Sequence, residues 1–365
     1  MRVIISAGGT GGHIYPALAI INKLKDQYNN IDILYIGTTD RMEKDIIPSK
    51  GIEYIGLEMN GLSKTNMVKN IKSVNNFYNA YKKTKEIIKE FKPDIVLGIG
   101  GYITAPVIYA AHKMKIKTFI HEQNIIPGKS NRFLSKFVDK IGVSLPDSLT
   151  YFPKDKVTLT GNPRGEEAYQ AKPIRKRTLG LKENKKLVLI VMGSLGSLTM
   201  SKKIQEILPK FNHKSYEVIL ITGKDYYDQY KNLLVRDNVK IFPFLDNILN
   251  VLKVTDLIVS RAGASTLAEI TAIGLPSILV PSPYVANNHQ YLNALSIKEA
   301  GGAMLLEEKD FNSHNLIKMI DDILNHQDKY LKLKTNMAKL GITNSTDRII
   351  KIINSLVGEK DERSN

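Results

Sequence analysis

One histidine in this sequence is placed to move a proton, and several glycine turns are placed to hold an anion. Gly8-Gly9-Thr10-Gly11-Gly12-His13 follows directly on the apolar run Val3-Ile4-Ile5. Its glycines clear away the side chains that would block close approach to the backbone. A strand feeding such a turn into a helix aims unpaired N–H groups and the positive end of the helix dipole at an anion. A histidine at that helix start, with an ordinary pKa of ~6.5, suits a general base. It reads equally as an imidazole satisfied by the local backbone.

The second half repeats the arrangement, with Gly193-Ser194-Leu195-Gly196 after Leu187-Val188-Leu189-Ile190-Val191. A third turn, Gly98-Ile99-Gly100-Gly101-Tyr102, ends the strand candidate Asp94–Leu97. It stands on the edge where α/β sheets place ligands, or is a tight turn with no ligand. His121-Glu122-Gln123-Asn124 puts four polar residues after Thr118-Phe119-Ile120, like the lip of a site. In the stretch Ser260–Glu269 small and hydroxyl residues open a helix, and a carboxylate follows one turn in. N–H groups there would hold a diphosphate, and Glu269 would accept two ribose hydroxyls; capping by Ser265 and Glu269 accounts for the same pattern. Asn287-Asn288-His289-Gln290 adds amides to that rim, either to read a sugar's hydroxyls or as a solvated loop.

The common nucleotide fingerprints do not fit. Ile14 stands where G-x-G-x-x-G needs its last glycine, and neither turn ends in the Gly-Lys-Ser/Thr of a P-loop. No H-E-x-x-H spacing follows His121-Glu122, so no dedicated metal site is expected. The chain has no cysteine, which excludes disulfides and thiolate chemistry.

Short apolar runs alternating with helical stretches must position these groups. Strands are expected at Arg2–Ser6, Ile31–Gly37, Glu53–Leu57, Asp94–Leu97, Thr118–His121, Lys140–Val143 and Val157–Thr160. A second set covers Leu187–Met192, Glu217–Thr222, Val239–Phe242, Leu257–Ser260 and Ser277–Val280. Such alternation predicts an α/β fold of parallel sheets covered on both faces. Two doubly wound domains are expected, facing across a cleft, with a hinge near Gly161-Asn162-Pro163-Arg164. The first spans 1–161, joined by a C-terminal helix at about 343–357; the second spans 162–342; 358–365 is a charged, flexible tail.

The chain has 365 residues and a net charge of +16, with the excess concentrated before the hinge. That favours an anionic partner or reflects a lysine-rich proteome. No arginine-rich run or recognition-helix pattern supports nucleic acid. No secretory leader is expected, and no apolar stretch reaches the ~18–20 residues of a spanning helix. Met67, Ile71, Val74, Phe77, Tyr78 and Tyr81 recur near helical spacing among Lys64, Lys69, Lys72, Lys82 and Lys83. The stripe suits an interfacial helix on an anionic bilayer, or a plain amphipathic helix on the sheet.

Taken together, Gly8–His13, Gly100-Gly101-Tyr102, His121–Asn124, Gly161–Arg164, Gly193–Gly196, Arg261–Glu269 and His289–Asn293 resemble the MurG family. Its members are cell-wall transferases that move N-acetylglucosamine from UDP-GlcNAc onto undecaprenyl-diphospho-MurNAc-pentapeptide. The resemblance runs from Met1 to about Leu356 and implies a GT-B fold of two Rossmann-like domains. It implies an inverting transfer to the acceptor's C4 hydroxyl, with no cofactor, on the cytoplasmic face of the membrane beside other cell-wall enzymes. For the donor it implies Thr10, Gly11, Gly12, Asn124, Arg164, Ser194, Leu245, Ala264, Ser265, Thr266, Glu269, His289 and Gln290. Gly100, Gly101 and Tyr102 would face the acceptor. His13 is the candidate base and Glu122 its fallback, and Met67, Ile71, Val74, Phe77, Tyr78, Lys64, Lys69 and Lys72 would meet the membrane. Arg164 follows Pro163 directly, where many members carry one more residue. A UDP-sugar-dependent diacylglycerol glycosyltransferase is the alternative.

Overall fold

Alternate residues of each central strand are buried on opposite faces, as a sheet covered on both sides requires. In the computed structural model, which describes residues 1–61, 67–192 and 198–358, Val3 and Ile5 join one apolar cluster and Ile4 another. The chain divides into two compact units, Met1–Pro163 with the segment from Asn344 onward, and Arg164–Thr343.

The first unit is a seven-stranded parallel sheet of β1 (Arg2–Ala7), β2 (Asp32–Thr38), β3 (Glu53–Leu57), β4 (Ile95–Gly100), β5 (Lys117–Glu122), β6 (Lys140–Val143) and β7 (Val157–Leu159). Its order is β3-β2-β1-β4-β5-β6-β7. Direction along the sheet reverses between β1 and β4, and the crevice outside such a switch point is where open α/β sheets bind ligands. Helices α1 (Gly11–Gln27), α2 (Glu43–Ser49), α3 (Met67–Phe91), α4 (Thr104–Lys113) and α5 (Lys129–Leu134) connect the strands.

The second unit is a six-stranded parallel sheet of β8 (Leu187–Val191), β9 (Glu217–Ile221), β10 (Val239–Phe242), β11 (Leu257–Ser260), β12 (Ser277–Leu279) and β13 (Ala303–Leu305). Its order, β10-β9-β8-β11-β12-β13, puts a second switch point between β8 and β11. Its helices are α6 (Pro163–Gln170), which begins at the boundary, α7 (Leu198–Ile207), α8 (Ile248–Leu252), α9 (Ala264–Ala272), α10 (His289–Glu299), α11 (Ser313–Asn325) and α12 (Gln327–Lys339). The last helix, α13 (Ser345–Val357), lies on the first unit: Ile349, Ile350 and Ile353 pack with Ile20, Ile21 and Leu24 of α1. Tyr28 donates to Asn354 Oδ1 at 2.5 Å, and Lys23 pairs with Asp347 at 2.6 Å.

Two differences from the sequence pattern bear on the site. Gly98, Ile99 and Gly100 all belong to β4, with Gly98 paired to both Ser6 and Ile120 and Gly100 to Ala7, so the turn proper begins at Gly101. The short strand β13, after Gly301-Gly302, has no counterpart in the apolar runs read above.

Candidate active site

Two glycine turns interlock at the first switch point. Gly8 N–H donates to the Gly100 carbonyl at 3.1 Å. Gly9, Gly100 and Gly101 sit at φ of +93°, +128° and +91°, a region that other residues rarely adopt. A Cβ on Gly101 would come within 2.4 Å of the Gly8 carbonyl oxygen. Thr104 Oγ1 donates to the Gly101 carbonyl at 2.7 Å, and Arg41 Nε donates to the Tyr102 hydroxyl at 3.2 Å.

His13 lies in the first turn of α1, and its Nδ1 is 3.0 Å from the Gly8 carbonyl. A carbonyl only accepts, so Nδ1 carries the proton and the neutral ring keeps its lone pair on Nε2. The Cδ2–Nε2 edge lies against Gly100, where a Cβ would stand 2.4 Å from Cδ2 and 2.9 Å from Nε2. Two of the turn's N–H groups are already taken, Gly8 by the Gly100 carbonyl and Gly9 by a carboxylate. Glu43, fully buried at the start of α2, accepts from Gly9 N–H through Oε2 at 3.2 Å. Its Oε1 accepts from Thr38 N–H at 3.1 Å and Thr38 Oγ1 at 2.7 Å. The motif reading misses Glu43; Gly37, a glycine inside an apolar strand, is its sequence mark, since a Cβ there would lie 2.8 Å from Glu43 Cγ.

The polar residues at the end of β5 are tied inward. His121 is fully buried; Nε2 donates to the Gly161 carbonyl at 2.8 Å, and Nδ1 lies 3.2 Å from Gln123 Nε2. Gln123 Nε2 also donates to the Ile99 carbonyl at 2.5 Å. Burial pulls the His121 pKa down to about 4 despite the Gly161 bond. Glu122 Oε1 accepts from Asn124 N–H at 3.0 Å, and Oε2 accepts from Gly128 N–H at 3.0 Å and Asn131 Nδ2 at 2.9 Å. Those bonds brace the following loop, an occupation at odds with a reserve base. Asn124 stands in that loop, its carbonyl accepting from Ser148 Oγ at 3.0 Å.

In the second unit the candidate donor residues follow the carboxyl ends of β10, β11 and β12. Gly263 caps α9 without a side-chain hydrogen bond, and the helix opens with Ala264, Ser265 and Thr266. Among the described residues Ser265 Oγ is buried with no partner, so the helix-capping account of this serine is not met there. Ser194, after β8, lies outside the described residues. Leu245, after β10, packs partly on the core with Ile248 and Leu249. His289 and Gln290 open α10, and Gln290 Oε1 accepts from Ser282 N–H at 2.9 Å, which leaves its NH₂ to donate.

Glu269 and Arg164, expected to take different parts of a donor, pair with each other. Glu269 Oε1 accepts from Arg164 Nε at 2.8 Å and Nη2 at 2.7 Å, and Glu167 takes Nη1 at 2.5 Å. Burial opposes the Arg164 charge, but the two carboxylates outweigh it and hold the guanidinium ionised. Burial pushes the Glu269 carboxyl up, with Arg164 opposing. One residue escapes the sequence reading here. Glu308 accepts from Arg261 Nη2 through Oε2 at 2.6 Å and from Thr199 Oγ1 through Oε1 at 2.9 Å. It ties the end of β11 to the start of α7, and nothing in its surrounding sequence marks it.

The apolar stripe on α3 divides. Ile71, Val74 and Tyr78 are 72%, 63% and 52% exposed, while Phe77 and Tyr81 pack toward the sheet. Phe77 therefore leaves the surface set, because 3.6-residue geometry turns it onto the apolar cluster that covers this face of the sheet. Lys72 is exposed; Lys64 lies outside the described residues, as do the side chains of Met67 and Lys69. Among the described residues no helix is long and apolar enough to cross a membrane, and no group of three or more His, Asp or Glu is gathered as metal ligands.

Two family models match the chain: the glycosyltransferase family 28 N-terminal domain over residues 3–143 and the family 28 C-terminal domain over residues 187–351. A protein of Halalkalibacterium halodurans is 43% identical over 354 residues, covering 96% of this chain and 98% of that one. It is named UDP-N-acetylglucosamine--N-acetylmuramyl-(pentapeptide) pyrophosphoryl-undecaprenol N-acetylglucosamine transferase. A Bacillus licheniformis protein of the same name is 42% identical over 361 residues, 98% of this chain and 99% of that one. Among solved structures, MurG of Acinetobacter baumannii superposes with a TM-score of 0.77 at 23% identity, over 97% of this chain and 99% of that one. A UDP-GlcNAc 2-epimerase from Neisseria meningitidis, bound to UDP-GlcNAc, gives 0.67 at 16% identity, over 97% and 100%. At those identities the structures show the shared fold.

Proposed function

The chain belongs to glycosyltransferase family 28, and we propose that it moves N-acetylglucosamine from UDP-GlcNAc to the C4 hydroxyl of undecaprenyl-diphospho-MurNAc-pentapeptide. It is an N-acetylglucosaminyltransferase of the GT-B fold. The observation that carries the substrate assignment is the near-full-length identity of 43% to transferases named for this reaction. The diacylglycerol alternative has no comparable support.

The residues divide the chemistry between the units. In an inverting transfer the acceptor hydroxyl loses its proton as it attacks, with no covalent intermediate. His13 takes that proton on Nε2, since its Nδ1 is committed to Gly8. Gly100, Gly101 and Tyr102, beside His13, face the acceptor. In the second unit the departing UDP gains negative charge. The N–H groups opening α9 and the Ser265 and Thr266 hydroxyls stabilise it with dipoles already in place. Ser265 Oγ, without a partner among the described residues, supports that assignment, because a buried hydroxyl without a partner is costly unless a ligand supplies one. Glu269 reads the ribose through Oε2, because Arg164 occupies Oε1. Gln290 donates its NH₂ to a GlcNAc hydroxyl.

A peripheral membrane position follows from the acceptor's lipid and from Ile71, Val74 and Tyr78 of α3, exposed beside lysines. The transfer is tested by offering UDP-GlcNAc and a short-chain acceptor analogue. β-1,4-linked disaccharide is expected from the parent protein, and ~10²-fold less or lower from His13→Ala; absence of product from the parent would overturn the reading.

A further inference from the structure

We infer that Glu43 acts on His13 through the Gly8–Gly9 peptide group, as a positioning residue that fixes the imidazole tautomer and raises the basicity of Nε2. This rests on the reading of His13 as the base. One peptide group carries both bonds: its N–H, from Gly9, donates to Glu43 Oε2 at 3.2 Å, and its C=O, from Gly8, accepts from His13 Nδ1 at 3.0 Å. A carboxylate bound at an amide N–H polarises the amide, so its oxygen becomes a stronger acceptor. A stronger acceptor at Nδ1 favours the imidazolium that forms when Nε2 takes a proton. The series carboxylate, amide, imidazole thus does the work of a carboxylate bound directly to a histidine, with a peptide group between.

The packing keeps this route open. Glu43 is fully buried, so its charge is poorly screened. A Cβ on Gly8 would lie 2.4 Å from Glu43 Oε1, and one on Gly37 would lie 2.8 Å from Glu43 Cγ, so the carboxylate reaches the peptide only between two glycines. Of the two cations flanking it in sequence, Lys44 is exposed to solvent and Arg41 is engaged by Asp40 and Tyr102. Burial first, then the Glu43 charge, pushes the phenols of Tyr35 and Tyr54 up. Both stay neutral donors, Tyr35 to the Ala7 carbonyl at 3.0 Å and Tyr54 to the Thr38 carbonyl at 2.5 Å. Among the described residues the other titratable groups around His13 are His121, neutral and electrostatically coupled to it, Tyr102 next after Gly101, and Tyr15 on its own helix. Glu122 is held by Asn124, Gly128 and Asn131.

The test is an NMR pH titration of the His13 ring in the full-length free protein, alongside the pH dependence of kcat/KM. Glu43→Gln should lower the His13 pKa, and with it the acid limb of kcat/KM, by ~0.5–1 unit, and lower turnover by about tenfold, with UDP affinity unchanged. Thr38→Val loosens the same carboxylate but keeps its charge, so His13 should titrate as in the parent. An unshifted His13 in Glu43→Gln, or an equal shift in Thr38→Val, overturns the inference. If Glu43→Gln does not fold, Glu43→Asp withdraws the charge by one carbon and should produce a smaller shift in the same direction; no shift there overturns it too. His13→Ala separates the two readings: full turnover would remove His13 as the base, while the titration would still decide whether Glu43 couples to it.

Discussion

Alanine at three glycines of the interlocked turns separates backbone strain from displacement of His13. At Gly9, φ is +93° and a Cβ meets nothing within 4 Å, so Gly9→Ala adds only conformational strain. Strain in that region costs about 1–2 kcal/mol. At Gly100, φ is +128° and the new methyl would stand 2.4 Å from His13 Cδ2 and 2.9 Å from Nε2. The ring must leave its place and loosen its hold on the Gly8 carbonyl. A displacement of about 1 Å in a reacting group can cost on the order of 10²-fold. At Gly101 the obstacle is the Gly8 carbonyl itself, 2.4 Å away, which as backbone cannot rotate aside. Gly9→Ala should therefore lose stability but keep kcat within about threefold. Gly100→Ala should lose about 10²-fold in kcat with a comparable stability loss. Gly101→Ala should be the least stable, by about 3 kcal/mol or more. Thermal unfolding, UDP release under saturating substrates and UDP binding read the three effects apart. Equal kcat losses in Gly9→Ala and Gly100→Ala would refute the reasoning, as would near-parental turnover in Gly100→Ala.

Other outcomes follow from the same geometry. His13→Ala should cut turnover by ~10²-fold or more with UDP affinity preserved, measured by disaccharide formation and calorimetry. The folded His121 pKa of about 4 lies below the ordinary ~6.5. Its neutral form therefore stabilises the fold fully above ~6.5, and about 3 kcal/mol is lost as pH falls toward 4. Denaturant unfolding should show that slope in the parent and not in His121→Gln; an identical slope in both would contradict it. Arg164→Met strands the buried Glu269 carboxylate and should destabilise by about 3 kcal/mol, and Glu269→Gln on top should recover part of it. Ile71→Glu with Val74→Glu should weaken binding to anionic vesicles in a flotation assay and leave UDP binding intact.

The central strands and both glycine turns are legible because burial on two faces demands unbroken apolar runs, and because turns at positive φ demand glycine. The family resemblance rests on that punctuation and holds across nearly the whole chain. Long-range partnerships leave no such trace. Arg164 and Glu269 stand 105 residues apart and each looks like a ligand-binding charge until they are seen together. Glu43 reads as an ordinary acidic residue in a helix's first turn, and only Gly37 hints at what passes beside it. Phe77 fits the apolar stripe of α3 by spacing, yet helical spacing alone does not say which edge of a broad stripe faces the sheet.

The measurement that bears most directly on the account is the structure of this protein with UDP bound. The diphosphate oxygens should lie within hydrogen-bond distance of the N–H groups of Ser265 and Thr266 and of Ser265 Oγ, with a ribose hydroxyl on Glu269. A diphosphate seated instead on the Gly8–Gly12 turn, or a Ser265 hydroxyl still without a partner, would contradict it.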